Sequence, residues 1–330
     1  ELVNTDVTLA GDIKTWANPE NPNSVEKPVA NVTVTLSGTV SDTEITTAAG
    51  TYDFSVPLNA NTITSCEKVT VGPPFNAGVT AGDLLRIVNH IFGDTFPSPY
   101  QWIAADVNNT KTVTLADYLL IQRLALGTDQ HIMNSPDWKF VPKSYMFPSN
   151  STMPFGPLTL PYPQTIEHNP ADQNFLDDDF VAVRMGDVNG NTPVNLTNDN
   201  ADDRTGETFK FRINDRAFHA GELVTIPFKA SDFTNRHAYQ MTINFDPSVF
   251  ELADYQGGAL ELTDENFGTA HLANGHLTTL WVSREALSIN DDEVLFTVTF
   301  RALRNSTSLS KVLHAGSEIT RAEAYNADGS

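Results

Sequence analysis

The chain of 330 residues is long enough for two or three domains, and 40% hydrophobic residues give it ample material for packed cores. With 20 Lys+Arg against 41 Asp+Glu the formal net charge is −21, a surface that repels phosphate backbones and anionic lipid and so argues against nucleic-acid or membrane binding. A single cysteine, Cys66, excludes intrachain disulfides, thiolate zinc clusters and iron–sulfur cages, and no apolar run reaches the roughly 20 residues of a membrane span.

Residues 1–70 alternate with period two: Val7 and Leu9, then Val32, Val34 and Leu36, then Tyr52, Phe54 and Val56. The turn-rich stretches Asn18-Pro19-Glu20-Asn21-Pro22-Asn23 and Ala48-Ala49-Gly50 separate these runs. Such alternation, bounded by Gly, Pro and Asn, predicts half-buried antiparallel strands in a small immunoglobulin-like β-sandwich. The strings VANVTVTLSG and TTAAGTYDFSVP resemble the carboxypeptidase-regulatory-like, Cna-B-type sandwich of bacterial surface proteins. That likeness implies a spacer or stalk with no chemistry of its own.

The texture changes over residues 71–195. VTAGDLLRIVNHIFG, residues 79–93, places Leu84, Ile87, Val88 and Ile91 at helical spacing and ends on Gly93. VTLADYLLIQRLALG, residues 113–127, does the same with Leu119, Ile121, Leu124 and Leu126 and ends on Gly127. Val79 matches Val113, Thr80 matches Thr114, Asp83 matches Asp117 and Gly93 matches Gly127, always at an offset of 34, so the stretch is an internal duplication.

Each predicted helix follows a candidate cation loop. A twelve-residue calcium loop takes side-chain oxygens at positions 1, 3 and 5, a backbone carbonyl at 7 and a carboxylate at 12. In DVNNTKTVTLAD, residues 106–117, these positions fall on Asp106, Asn108, Thr110, the Thr112 carbonyl and Asp117, with Lys111 where glycine is usual. An N-capped helix after an Asx-turn, without metal, fits the same spacing. In the first copy Gly72 and Pro74 supply no side-chain oxygen, which leaves Asn76, the Gly78 carbonyl, Thr80 and Asp83 as half a site. GDVNGN, residues 186–191, opens like a third loop but no helix follows; Asp187 and Asn189 are therefore expected to return in space and complete that half-site. An ordinary turn at a domain end explains them equally well.

The loop pattern, with Asp at position 12 and a helix ending in Leu-Gly, resembles the type I dockerin, and residues 71–195 as a whole resemble an extended dockerin-like module. Dockerins are paired calcium-loop–helix modules that bind cohesin sandwiches, so the likeness implies calcium and a cohesin-type partner. Loop positions 10 and 11, usually small hydroxyl residues in dockerins, are Ala81-Gly82 and Leu115-Ala116 here. That departure alters the recognition face and suits a structural module held inside its own chain.

Residues 128–180 are rich in Pro and aromatic residues and show little periodicity, which predicts an irregular wrap packed by its own rings; the acidic run Asp177-Asp178-Asp179 reads as a solvated turn. A polar linker is expected at 196–208. Residues 209–330 return to period two, with Val224, Ile226 and Phe228, then Tyr239, Met241, Ile243 and Phe245, then Val294, Phe296, Val298 and Phe300, and predict a second sandwich. PFKASDFTNRHAYQMTINFDPSVFEL, GHLTTLWVS and VLFTVTFRAL resemble a cohesin domain, with Asp246-Pro247 at a turn and Trp281 pointing inward. Cohesins normally close with a hydrophobic strand after a turn like Asn326-Ala327-Asp328-Gly329, so an open sheet edge is expected at Ser330, with Val3, Thr5, Val7 and Leu9 as a candidate donor strand from another copy.

No Gly-x-Ser-x-Gly elbow, phosphate-cradling loop or His-Glu-x-x-His helix occurs, and the eight His are scattered. The expected architecture is mostly β and multidomain: an N-terminal Ig-like sandwich, a small α-helical calcium-loop module and a C-terminal cohesin-like sandwich. The expected role is a non-catalytic structural subunit of a calcium-stabilised extracellular fibre or surface scaffold. Its partners would be other copies, head to tail, or a cohesin- or dockerin-type protein. The alternatives are an adhesion module for a separate protein or polysaccharide, and the accessory region of a larger secreted hydrolase.

Overall fold

The computed structural model describes residues 6–148, 162–194 and 210–327. The linker expected at 196–208, and Val3 and Thr5, lie outside the described residues. The chain builds two compact units: Glu1–Val71, Gly93–Asp117 and Ile132–Asp202 form the first, and Gly72–Phe92, Tyr118–His131 and Asp203–Ser330 form the second.

In the first unit the predicted alternation becomes β1 (Asp6–Thr15), β2 (Thr33–Gly38), β3 (Asp42–Ile45), β4 (Thr51–Pro57) and β5 (Ala60–Glu67). Three further strands come from later in the chain: β6 (Trp138–Pro142), β7 (Thr165–Ala171) and β8 (Phe180–Arg184). Two four-stranded sheets result, in the orders β4-β1-β8-β6 and β3-β2-β5-β7. Leu9, Ile13, Val34, Leu36, Phe54, Phe140 and Phe180 meet in their common core. Each such side chain, fully buried, contributes roughly 1.5–3 kcal/mol.

Three expectations are corrected here. The stretch 128–180 is not only a wrap, since it supplies β6 and β7 to the two sheets. All five residues of β6 and all five of β8 are buried, so neither shows the two-residue alternation that betrays a half-exposed strand. The candidate donor strand is already used as well. Val7 and Leu9 lie in β1, opposite Val56 and Phe54 of β4, and the far end of β1 runs parallel to β8, with Ile13 opposite Phe180. A strand bonded on both sides has no free edge to lend to another copy. Nor is the acidic run a solvated turn. Asp178 is buried, its carboxylate 2.8 Å from Nε2 of His168, and its carbonyl accepts from the Tyr52 hydroxyl.

The duplicated segments form helices α1 (Ala81–Ile91) and α3 (Leu115–Ala125). Between them lies α2 (Pro99–Ala105), absent from the expectations although Ser98-Pro99 with Gln101 three residues on is a capping-box start. In α1 the buried face is Leu84, Leu85 and Ile87, and Ile91 is exposed; in α3 Ile121 and Leu124 are buried and Leu119 faces out.

The second unit carries β9 (Lys210–Arg212), β10 (Leu223–Ser231), β11 (Arg236–Phe245), β12 (Phe250–Gly257), β13 (Phe267–Gly268), β14 (His276–Leu287), β15 (Phe296–Ala302), β16 (Leu313–Gly316) and β17 (Glu323–Tyr325). One sheet runs β12-β15-β10-β9; the other runs β13-β14-β11-β16, and β17 also pairs with β11. Their inner faces enclose an aromatic core in which Phe296 lies within 4.7 Å of Phe228, ring centre to ring centre, and Trp281 within 6.2 Å of Tyr239. Asp246 makes the expected turn, its carboxylate accepting from the Ser248 amide at 2.8 Å.

Candidate metal centre

The loop 106–117 lies wholly in the first unit. Asp106 closes it from its first position: Oδ1 accepts from the Thr110 amide at 2.9 Å and Oδ2 from the Lys111 amide at 3.0 Å. Asn108 Oδ1 accepts from the same Thr110 amide at 3.1 Å, and the Thr110 hydroxyl donates to the Thr112 carbonyl at 3.2 Å. Asp117 folds back from the first turn of α3, with Oδ1 accepting from the Asn108 amide at 3.2 Å and Oδ2 from the Thr114 amide at 2.9 Å. The five predicted ligands are thereby drawn into one bonded loop.

The chemistry of this donor set suits a hard dication. Every donor is oxygen, as calcium requires. Asp106 is 1% exposed and Asp117 fully buried, yet among the described residues no Arg or Lys forms a salt bridge with either. Burying two carboxylates is costly unless positive charge meets them. Burial pushes the Asp106 carboxyl above the usual carboxylate range; the Lys111 and Thr110 amides and the charge of Lys139 pull it back, and Asp117 pushes it up further. Lys139, which the sequence reading did not single out, is buried in β6 and donates to Asn109 Oδ1 at 2.6 Å. Burial lowers its pKa, and Asp106 opposes that. No cluster of three or more His, Cys, Asp or Glu able to hold a metal occurs among the described residues; the loop has only two carboxylates and relies on amide, hydroxyl and carbonyl oxygen for the rest.

Lys111 occupies the usual glycine position with φ +65°, a left-handed conformation that disfavours any side chain. Lys111→Gly is therefore expected to stabilise the first unit by roughly 0.5–1 kcal/mol, the steric relief exceeding the entropy cost of glycine. Urea unfolding of both chains in chelator checks this, and an unchanged or lowered midpoint refutes it.

The first copy of the motif lies in the second unit and works as a cap. Asp83 Oδ2 accepts from the Thr80 amide at 2.8 Å and the Thr80 hydroxyl at 3.0 Å, the same pair of bonds that Asp117 makes with Thr114. Gly78 has φ +77° in the turn before it, and the Asn76 side-chain amide donates to the carbonyls of Ala125 and Ile319 at 2.9 and 3.2 Å. Asp187 and Asn189 belong to the first unit, where they repeat the three bonds that Asp106 and Asn108 accept. Asp187 accepts from the Asn191 and Thr192 amides at 3.1 and 3.0 Å, and Asn189 Oδ1 accepts from Asn191 at 3.1 Å. The shared Asp-Val-Asn of 106–108 and 187–189 was the signal for this. Burial raises the pKa of the Cys66 thiol well above its ordinary value.

The second unit's two sheets, aromatic core and Asp246 turn have the features expected of one sandwich family. Residues 209–324 match the cohesin domain. No curated protein matches the chain. Among solved structures, the cohesin sandwich is similar to a chain of the Coh-OlpA-Doc918 complex, a type I cohesin–dockerin complex from Clostridium thermocellum, at 13% identity over 35% of this chain and 91% of that one, with TM-score 0.26. It is also similar to CaCohA2 from Clostridium acetobutylicum, at 17% identity over 38% and 93% of the two chains, TM-score 0.26. A third is the second type II cohesin module of the adaptor ScaA scaffoldin of Acetivibrio cellulolyticus, at 18% identity over 37% and 80%, TM-score 0.29. No helix among the described residues is long and apolar enough to cross a membrane.

Proposed function

We propose that the chain is a non-catalytic scaffold protein of the cell exterior, stiffened by calcium, whose cohesin sandwich is its protein-binding part. The match of residues 209–324 to the cohesin domain carries this reading. The bonded oxygen loop of Asp106, Asn108, Thr110, Thr112 and Asp117 supports the calcium, which when bound would neutralise two buried carboxylates and so lend its binding free energy to folding. The partner class is a dockerin-type protein.

A second reading makes the chain the repeating subunit of a head-to-tail fibre. The presence of duplicated loop–helix segments and a cohesin sandwich on one chain favours it. Negative-stain electron microscopy of the native chain, in calcium and after chelation, separates the two. Filaments with a one-chain repeat that soften on chelation identify a subunit; single particles in both conditions identify a module that needs a separate partner. Thermal unfolding that ignores calcium would remove the metal from either reading.

A further inference from the structure

Strand β6 carries a cation on the face that turns away from the sandwich core. Side chains alternate across a strand, and Trp138 and Phe140 belong to that core, so Lys139 between them points to the opposite face. A lysine in such a place ordinarily ends in water. Lys139 is instead 6% exposed, opposite the buried Val183 of β8, and its amino group donates to Asn109 Oδ1 at 2.6 Å. Asn109 is the fourth residue of the loop 106–117 and lies in the left-handed region at φ +58°. The bond ties that corner of the loop to a strand held in a sheet. Lys139, Asn109, Asp106 and Asp117 all belong to the first unit.

The oxygen set carries two negative charges, on the buried Asp106 and Asp117, while Asn108, Thr110 and the Thr112 carbonyl are neutral. A dication alone would balance the two carboxylates. With the charge of Lys139 counted, one net negative charge remains to attract it. Calcium loops tune their affinity through this count of charges and through rigidity. Lys111, at the sixth position, is exposed and its charge is screened by water; Lys139 has no such screen. The field of Lys139 reaches the loop. Burial lowers the pKa of Lys139 and Asp106 raises it, while burial raises that of Asp106 and Lys139 lowers it.

Resting on the reading of the loop 106–117 as a calcium site, we propose that Lys139 sets its affinity, pinning the loop through Asn109 and repelling the dication that the two carboxylates attract. The bond favours binding by giving rigidity, and the charge opposes it. The charge prevails, because the work against a dication is twice that against a single charge, in a place where water does not weaken it. The loop is thereby moved toward the weak range of extracellular calcium modules, roughly 10⁻⁴–10⁻³ M, where occupancy follows ambient calcium.

Two substitutions in the full chain test this. Lys139→Met matches the buried stem and removes the charge; Lys139→Arg keeps the charge. Each is titrated at one pH and salt concentration with calcium, by calorimetry, and with terbium(III), by luminescence. Binding that survives Asp106→Ala is subtracted as belonging elsewhere. Calcium should bind Lys139→Met about ten-fold more tightly than the wild type, and terbium about thirty-fold, because repulsion scales with the charge of the ion. Lys139→Arg should match the wild type with both. A lysine that only braces the loop predicts the opposite sign, since losing the Asn109 bond would weaken both ions. Equal or weaker calcium binding by Lys139→Met, or an equal gain for the two ions, overturns the proposal. Should the methionine chain lose its native circular dichroism, Lys139→Gln, which keeps a donor for Asn109, takes its place with the same expected gains. Wild-type calcium binding that neither neutral variant tightens sinks this inference alone and leaves the calcium reading standing. Absence of binding of either ion to all the chains sinks both.

Discussion

Asp106→Ala is expected to abolish the calcium response of the chain. At calcium 100 times its dissociation constant, a bound ion stabilises the folded state by about 2.7 kcal/mol, and that increment should vanish. In chelator the same substitution should change little. It removes the acceptor of the Lys111 amide and one of two acceptors of the Thr110 amide, but both residues are exposed and water can replace the lost bonds, while a buried carboxylate held above its usual pKa range is relieved. The difference between unfolding midpoints with and without calcium is thus the informative quantity. Asp106→Asn sharpens it by keeping an acceptor and removing the charge. A calcium-dependent shift that survives Asp106→Ala would place the ion elsewhere.

Phe296→Ala should cost the cohesin sandwich roughly 3–5 kcal/mol. Phe296 is fully buried and stands among four rings: Phe228 at 4.7 Å, Phe267 at 5.9 Å, Phe211 at 6.1 Å and Tyr239 at 6.4 Å between centres. Neighbours from both sheets cannot collapse into the space without pulling the sheets together, so most of the cavity should persist. Against the ~5–15 kcal/mol by which domains are ordinarily stable, the loss is large. Urea unfolding followed by Trp281 fluorescence, against a background in which the other tryptophans lie in the first unit, measures it. A loss under about 1 kcal/mol would mean that the rings repack.

Strands with one wet face were legible from sequence. Val7 and Leu9, Val34 and Leu36, Tyr52 and Phe54, and Val224 and Ile226 announce β1, β2, β4 and β10 because alternate residues meet water. The duplication was legible because the capping pairs Thr80–Asp83 and Thr114–Asp117 recur at fixed spacing and make the same bonds. What stayed hidden was burial imposed by distant parts of the chain. Trp138, Lys139, Phe140 and Val141 are covered on both faces, so β6 has no period to read. Gln240 and Thr278 look like solvent-facing residues, and only the helices packed within their unit reveal them as a cap acceptor and a cap donor. Strand β5 inverts the usual code outright, with Thr62 and Thr64 buried and Ile63 partly exposed. The hydrogen bonds of the loop 106–117 join near neighbours in the chain and so follow from its spacing; Lys139, 33 positions after Asp106, does not.

The chain passes between its two compact units five times. Such interleaving constrains how a gene for this protein can be rearranged. A recombination joint at residues 196–208, where the sequence texture alone would place one, would part the cohesin sandwich from residues 72–92 and 118–131, with which it shares a compact unit, and would strand those helices on the other gene fragment. A joint near residue 71 would likewise part β1 from β8, its parallel neighbour. Tandem sandwiches joined by a single strand of chain can be shuffled like cassettes. Here no single cut within residues 72–202 leaves both compact units whole.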